Sequence, residues 1–262
     1  MEEAAVVREE KGSVSVLTMQ YRPYNLLGPT LLGAIADEIG AARDAGSRAI
    51  ILRSGLRHFS AGADVAQFSA RIEQGGRSQS AIGGVDFLKL LELLPIPIVA
   101  SVHGVCLGGG FELALASDYI VAASSAKIGS VEVALGLHPL LGGIQRQVQR
   151  AGAMRAKEIS MLGRRYDPAT LERWGLVNLV VADDALEEAT MTIAQELAHG
   201  PTVAHCSDQA PCAHRRQSGG ARSRRGDGRD PEADLDLRRP TDRSGLVPRE
   251  RSRPRQIHGA LT

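Results

Sequence analysis

The order of apolar and polar positions divides the first 205 residues into short strands and helices that alternate. "SVSVLTMQ", residues 13–20, alternates as a half-buried strand does, and "GPTLLGAIADEIGAARDAG", 28–46, has apolar residues at helical spacing before a glycine stop. "AIILRS", 49–54, reads as a short apolar strand. "GVDFLKLLELLPIPIVASVHGVCLGGG", 84–110, predicts a helix ended by Pro95 and Pro97, then a buried strand and a glycine-rich turn. "FELALASDYIVAASSAKIGS" predicts a helix followed by a strand. "AMRAKEISMLG", "DPATLERWG", "LVNLVV" and "DALEEATMTIAQELAHG" predict two helices, a strand and a helix, with Asp167 and Asp183 as N-caps. Such alternation implies an α/β layered fold rather than a sandwich or a bundle.

The pattern stops near residue 205. Residues 206–262 contain 13 arginines but no lysine and no Phe, Tyr or Trp. They hold 13 basic and 8 acidic side chains, against 18 and 22 in residues 1–205, so a net charge of +1 conceals an acidic body and a basic tail. A segment so poor in apolar surface cannot offset its ordering entropy, and disorder is the physical expectation. The division is therefore a core at 1–205 and an atypical arginine-rich tail at 206–262. "HRRQSGGARSRRGDGRD" has charge for phosphate contacts, yet without interleaved aromatics and with acids among its arginines it argues against nucleic acid as a partner.

The start, "MEEAAVVREEKG", lacks a basic region followed by an apolar one, and no apolar run approaches the ~20 residues that span a bilayer. A soluble, cytoplasmic protein without membrane partners is expected. Three cysteines without ligand spacing argue against disulfides or a metal site, and Cys106 reads as a small buried hydrophobe.

The candidate chemistry begins at "LGGGFEL", 107–113. Its glycines fit neither the G-x-G-x-x-G fingerprint nor a P-loop, and no G-x-S-x-G elbow occurs in the chain. A second small-residue loop, "HFSAGADV", 58–65, also follows a strand. Two such loops can present bare backbone N–H groups to one ligand oxygen, and a donor at a helix N-terminus adds the positive end of the helix dipole. Glu112, among Phe111, Leu113 and Leu115, is poorly placed for a merely solvated carboxylate.

"HFSAGADV", "GVCLGGGFELALASD" and "VEVALGLHPLLGGIQR", in this order, resemble the crotonase (enoyl-CoA hydratase/isomerase) family. The resemblance covers about residues 5–205. It implies a crotonase-like superhelix of stacked ββα turns (the ClpP/crotonase fold) and an acyl-CoA thioester substrate. It also implies a homotrimer or dimer of trimers, and no cofactor beyond the coenzyme A that the substrate carries. By position, it assigns an oxyanion hole to the backbone N–H groups of Ala63 and Gly109. Glu112 and Glu132 match the two catalytic glutamates of the hydratases, while Arg22, Ser60, Ala61, Gly62, Asp64 and Gly108 fall in the region that receives substrate and CoA. Adding water across an α,β-unsaturated thioester needs one group to deprotonate the water and another to protonate the α-carbon, and two carboxylates in one dry pocket can divide that work.

The expectation is an enoyl-CoA hydratase. The alternatives are an isomerase, hydrolase or decarboxylase of the same fold, or a non-catalytic protein with a nucleic-acid-binding tail. Val131 stands where the family commonly has a proline before the second glutamate, and "HPLLGG" replaces a smaller, more glycine-rich turn, with Leu140 and Leu141 placed to reshape the acyl pocket. His138 reads as a turn residue rather than an acid or base.

The tail does not resemble the family's C-terminal helices. Back-translated with permissible codons and read one nucleotide later, however, "CSDQAPCAH" can give AATKRLVR, which does. The same offset turns the region near "RDPEADLDLRRPTD" into AEIQKPIWTSEDLQTG, and together they point to a single-nucleotide insertion near His205. Sequencing the gene across that codon tests this; a clean reading in the present frame, supported by peptide masses from the tail, overturns it.

Overall fold

The computed structural model describes residues 4–64 and 84–200. The division at 205, the expected disorder of the tail and Val65 of the first loop fall outside these residues. Six strands form the main sheet: β1 (Val6–Lys11), β2 (Val14–Met19), β3 (Ala49–Ser54), β4 (Ile98–Val102), β6 (Tyr119–Ala123) and β8 (Leu179–Val181), side by side in that order. β1 and β2 are antiparallel, and every later pairing is parallel. β5 (Val105–Leu107) and β7 (Lys127–Gly129) pair in a second, parallel sheet. The helices are α1 (Pro29–Asp44), α2 (Gly84–Leu93), α3 (Gly109–Ala116), α4 (Gly143–Leu162), α5 (Pro168–Arg173) and α6 (Leu186–His199).

Two cores follow from the period of two along the strands. Leu17, Met19, Ile50, Leu52, Ile98, Ala100, Ile120 and Ala122 point into the larger core, which includes residues of α1, α2 and α3. Their neighbours Val16, Ile51, Val99 and Val121 point to the other face, where Leu186, Ala194 and Ala198 of α6 cover them. Burial on both faces is what makes β3, β4 and β6 apolar almost throughout. β2, whose alternation predicts a half-buried strand, is buried on both faces as well, because α6 and the neighbouring strand enclose its second face, Ser15 included. In two places a strand of the main sheet is followed by one of the small sheet and then by a helix: β4-β5-α3, and β6-β7-α4 with a 3-10 turn, Glu132–Leu135, between. These are the ββα units that the resemblance implies.

Several local expectations change. β1 is a strand, although its last four residues are polar; it lies at the sheet edge, where pairing does not require an apolar face. α3 starts at Gly109, so two of the three glycines form its first turn instead of a loop. α4 begins ten residues before "AMRAKEISMLG" and breaks at Gly152, whose φ is 79°. Asp167 caps α5 by accepting a hydrogen bond from Thr170 N at 2.8 Å. Asp183 does not cap α6, whose N-cap is Ala185. Its carboxylate is engaged instead by the Ser125 amide and the hydroxyls of Ser124 and Ser125, a set of nearby donors that outcompetes the helix end.

Candidate active site

Loop 58–64 runs beside β5. Ser60 N donates to Val105 O at 3.2 Å, Leu107 N donates to Ser60 O at 3.1 Å, and the loop then crosses the start of α3. The crossing is close: a Cβ on Gly62 would lie 3.2 Å from Leu107 O, and one on Gly110 only 2.7 Å from the Ser60 Cβ. Gly62, at φ 120°, and Gly108, at φ 53°, also hold backbone conformations that side chains resist.

On the far side, Leu27 N donates to Gly62 O at 2.8 Å and Asp64 N to Leu27 O at 2.9 Å. The amide between these two bonds, Ala63 N–H, is left without an acceptor among the described residues, as is Gly109 N–H at the first position of α3. The two are neighbours, since a Cβ on Gly109 would sit 3.3 Å from Ala63 N. Two unspent backbone donors beside a helix N-terminus make a receptor for a developing negative charge on oxygen.

Glu112 is one turn further along α3 and is 2% exposed. Its Oε1 accepts hydrogen bonds from Leu141 N and Gly143 N, both at 2.8 Å, while Oε2 accepts none from a described residue. Burial pushes its carboxyl up to about 7; the two N–H donors and Arg146 oppose that shift, and the neighbouring Glu132 charge adds to it.

Glu132 opens the 3-10 turn after β7. Both of its carboxylate oxygens are buried without a hydrogen-bond partner among the described residues. Burial raises its pKa as well, and the turn's own N–H groups and His138 draw it partly back without reaching hydrogen-bond geometry. A Cβ on Gly108 would lie 3.4 Å from its Oε1, which places this carboxylate beside the same glycine turn that precedes Gly109.

The remaining residues singled out from sequence are distributed around this centre. Ser60 is buried, and its Oγ is spent within the loop, donating to Asn25 O and accepting from Gly62 N. Ala61 and Asp64 are half-buried, and Arg22 is exposed in the turn after β2. His138 is exposed and bonds its own neighbour Pro139. Leu141 is buried and Leu140 exposed. Cys106 is buried, which holds its thiol protonated, and no cluster of metal-binding type occurs among the described residues.

Two residues that bear on the site went unread in the sequence. Buried Asn25, at φ 50°, ties the first loop together: its amide bonds Ser54 Oγ, Phe59 O and Tyr21 N. An asparagine in a short turn tolerates positive φ, and that was the available signal. Arg146 had none, because its ion-pair partner Glu92 is 54 residues away. A cavity of about 410 Å³ lies on the other face of the sheet, under α6, and shares no residue with these loops. No helix among the described residues is long and apolar enough to cross a membrane.

A sequence profile of the enoyl-CoA hydratase/isomerase family matches residues 9–218, and the chain belongs to that family. It is 35% identical over 195 residues to a probable enoyl-CoA hydratase of Rhizobium meliloti (strain 1021), covering 72% of this chain and 74% of that one. It is 34% identical over 215 residues to the short-chain-enoyl-CoA hydratase of Clostridium acetobutylicum, covering 80% and 82%. The crystal structure of an enoyl-CoA hydratase subunit I from Geobacillus kaustophilus HTA426 superimposes with a TM-score of 0.73 at 31% identity, over 81% of this chain and 82% of that one. The fold is that of the crotonases.

Proposed function

We propose that the protein is an enoyl-CoA hydratase that adds water, syn, across the double bond of a 2-enoyl-CoA thioester to give a 3-hydroxyacyl-CoA. The observation that carries this reading is the pair of buried carboxylates, Glu112 and Glu132, beside two unspent backbone N–H groups. The thioester oxygen takes hydrogen bonds from Ala63 N–H and Gly109 N–H, and negative charge grows there as the hydroxyl forms its bond at the β-carbon.

Glu112 takes the proton from the attacking water. Two N–H groups stabilise its anion through Oε1, and Oε2 remains to accept the proton. Glu132, whose buried carboxylate oxygens take no hydrogen bond from a described residue and whose pKa burial raises, delivers a proton to the α-carbon as the enolate collapses. The proton count balances: one proton enters Glu112 from water, one leaves Glu132 for carbon, and exchange between the pair and solvent resets the site. No cofactor is needed beyond the coenzyme A of the substrate. Arg22, Ala61 and Asp64 border the entry for its nucleotide part, while Ser60, Gly62 and Gly108 shape the turns that let the thioester approach.

The exposed apolar side chains of Leu135, Leu140, Met154 and Met161 support self-association into trimers or dimers of trimers. The test is hydration of crotonyl-CoA and of a long-chain enoyl-CoA by the wild-type chain and by Glu112→Gln and Glu132→Gln. Each substitution is expected to lower kcat by about 10²- to 10⁴-fold, and unchanged rates overturn the mechanism.

A further inference from the structure

Behind Glu112 lies a set of buried polar groups that the reaction as written does not use. Arg146, in the first turn of α4, and Glu92, near the end of α2, form an ion pair at 2.6 Å whose side chains are 7% and 11% exposed. Arg146 Nη1 also donates to Leu141 O at 2.7 Å. Leu141 is the residue whose N–H holds Glu112, so the guanidinium grips one end of a residue whose other end grips the carboxylate. The packing leaves no slack: a Cβ on Gly142 would lie 2.7 Å from Arg146 Nη1, and one on Gly143 would lie 2.7 Å from Glu112 Cγ. The Leu141 side chain rests on Gly84, the first residue of the helix that carries Glu92. A buried ion pair is weak as a stabilising device, since desolvation consumes most of its attraction. Its place here, one residue from a reacting carboxylate, gives it another use.

We propose that Arg146, held by Glu92, is a positioning residue for Glu112: it clamps segment 141–143 so that two backbone N–H groups occupy Oε1 and leave Oε2 to the reacting water. The identity of that water rests on the hydratase reading; the clamp does not.

The charges around Glu112 define the electrostatic consequence. Glu132 faces it from the 3-10 turn, and Arg146 from α4. Arg150 of α4 is turned to the far end of α3, where it donates to Leu115 O and Ser117 O. On α2, Asp86 and Lys89 pair with each other on the exposed side, and β5 contributes only the neutral thiol of Cys106. His138 acts on Glu132. Among the described residues, Arg146 therefore supplies the nearby positive charge that favours the Glu112 carboxylate, and Glu92 tempers it. Removing one or the other should move the Glu112 titration in opposite directions, which loosened packing alone does not do.

The experiment uses the full chain as wild type, Arg146→Gln, Arg146→Lys and Glu92→Gln, with Glu112→Gln to assign the signal. The protonated Glu112 carboxyl is titrated by its infrared carbonyl band without substrate, and kcat and KM for crotonyl-CoA are measured across pH. Arg146→Gln is expected to move the titration up by about one pH unit and to lower kcat about tenfold or more with KM within about threefold. Arg146→Lys should restore the titration but only part of kcat, because one ammonium cannot bond both Glu92 and the Leu141 carbonyl as the planar fork does. Glu92→Gln should move the titration down. Equal titrations in all variants, or a Glu92→Gln shift upward, overturn the proposal. If Arg146→Gln does not fold, Glu92→Gln decides by itself. A wild-type chain that leaves crotonyl-CoA unchanged defeats the hydratase reading, while the infrared titration still decides the clamp.

Discussion

Helix α3 and segment 131–142 each carry one carboxylate of the site, and they are built in opposite ways. All eight residues of α3 are buried, so the helix that carries Glu112 is surrounded by protein on every side. The segment that carries Glu132 exposes a row of apolar side chains, with Leu135 65% and Leu140 59% exposed. Both carboxylates are nevertheless dry. Glu112 is dry because the core encloses it, and two amides and an arginine are fixed around it. Glu132 is dry only locally, on a short turn whose outer surface has no partner within the described residues. The first is enclosed by described residues on every side; the second sits on a turn whose leucines face outward.

The comparison can be broken or sharpened by measurement, beginning with the largest effect. Phe111→Ala in α3 removes a fully buried ring next to Glu112 and is expected to cost about 3–5 kcal/mol in denaturant unfolding. A loss below about 1 kcal/mol would mean that α3 is less tightly held than its burial indicates.

A slightly smaller effect is expected from pH. Glu112 titrates near 4.5 when unfolded and at about 7 when folded, so it contributes stability that is complete below 4.5 and lost as pH rises through 7. The loss amounts to about 3 kcal/mol. Glu112→Gln removes this dependence, and its melting temperature should exceed that of the wild type at pH 8 and approach it at pH 5. Parallel Tm profiles for the two proteins would show that Glu112 is solvated.

The smallest effect belongs to the outer segment. Leu135→Ser and Leu140→Ser should each change unfolding stability by less than about 0.5 kcal/mol, while the self-association proposed above predicts a smaller mass for them than for the wild type in light scattering after size exclusion. Losses comparable to Phe111→Ala would place the segment in the core and erase the contrast.

How much of this was legible depended on the range of the interactions. α1 and β2 were readable from a period along their own sequence, and β3 and β4 as short apolar runs that are buried on both faces. β1 was not, since an edge strand needs no such face, and neither were β5 and β7, whose three residues are too few to show a period. Asp167 was read as a cap correctly because its partner is three residues away. Asp183 was misread because its partners lie 58 and 59 residues away on the turn after β6.

The same rule holds at the site. The order of residues in "HFSAGADV", "GGGFEL" and "VEVALG" determined which backbone amides and carboxylates were available, because the steric freedom of glycine and the chemistry of glutamate are properties of the residues themselves. Only the tertiary structure decided that Ala63 N lies beside Gly109, and that one Glu112 oxygen takes two backbone N–H donors while the other takes none from a described residue. It also decided that Arg146 and Glu92, 54 residues apart, meet behind the carboxylate. Each of these rests on a close approach between distant segments, and a single chain read along its length does not contain that distance.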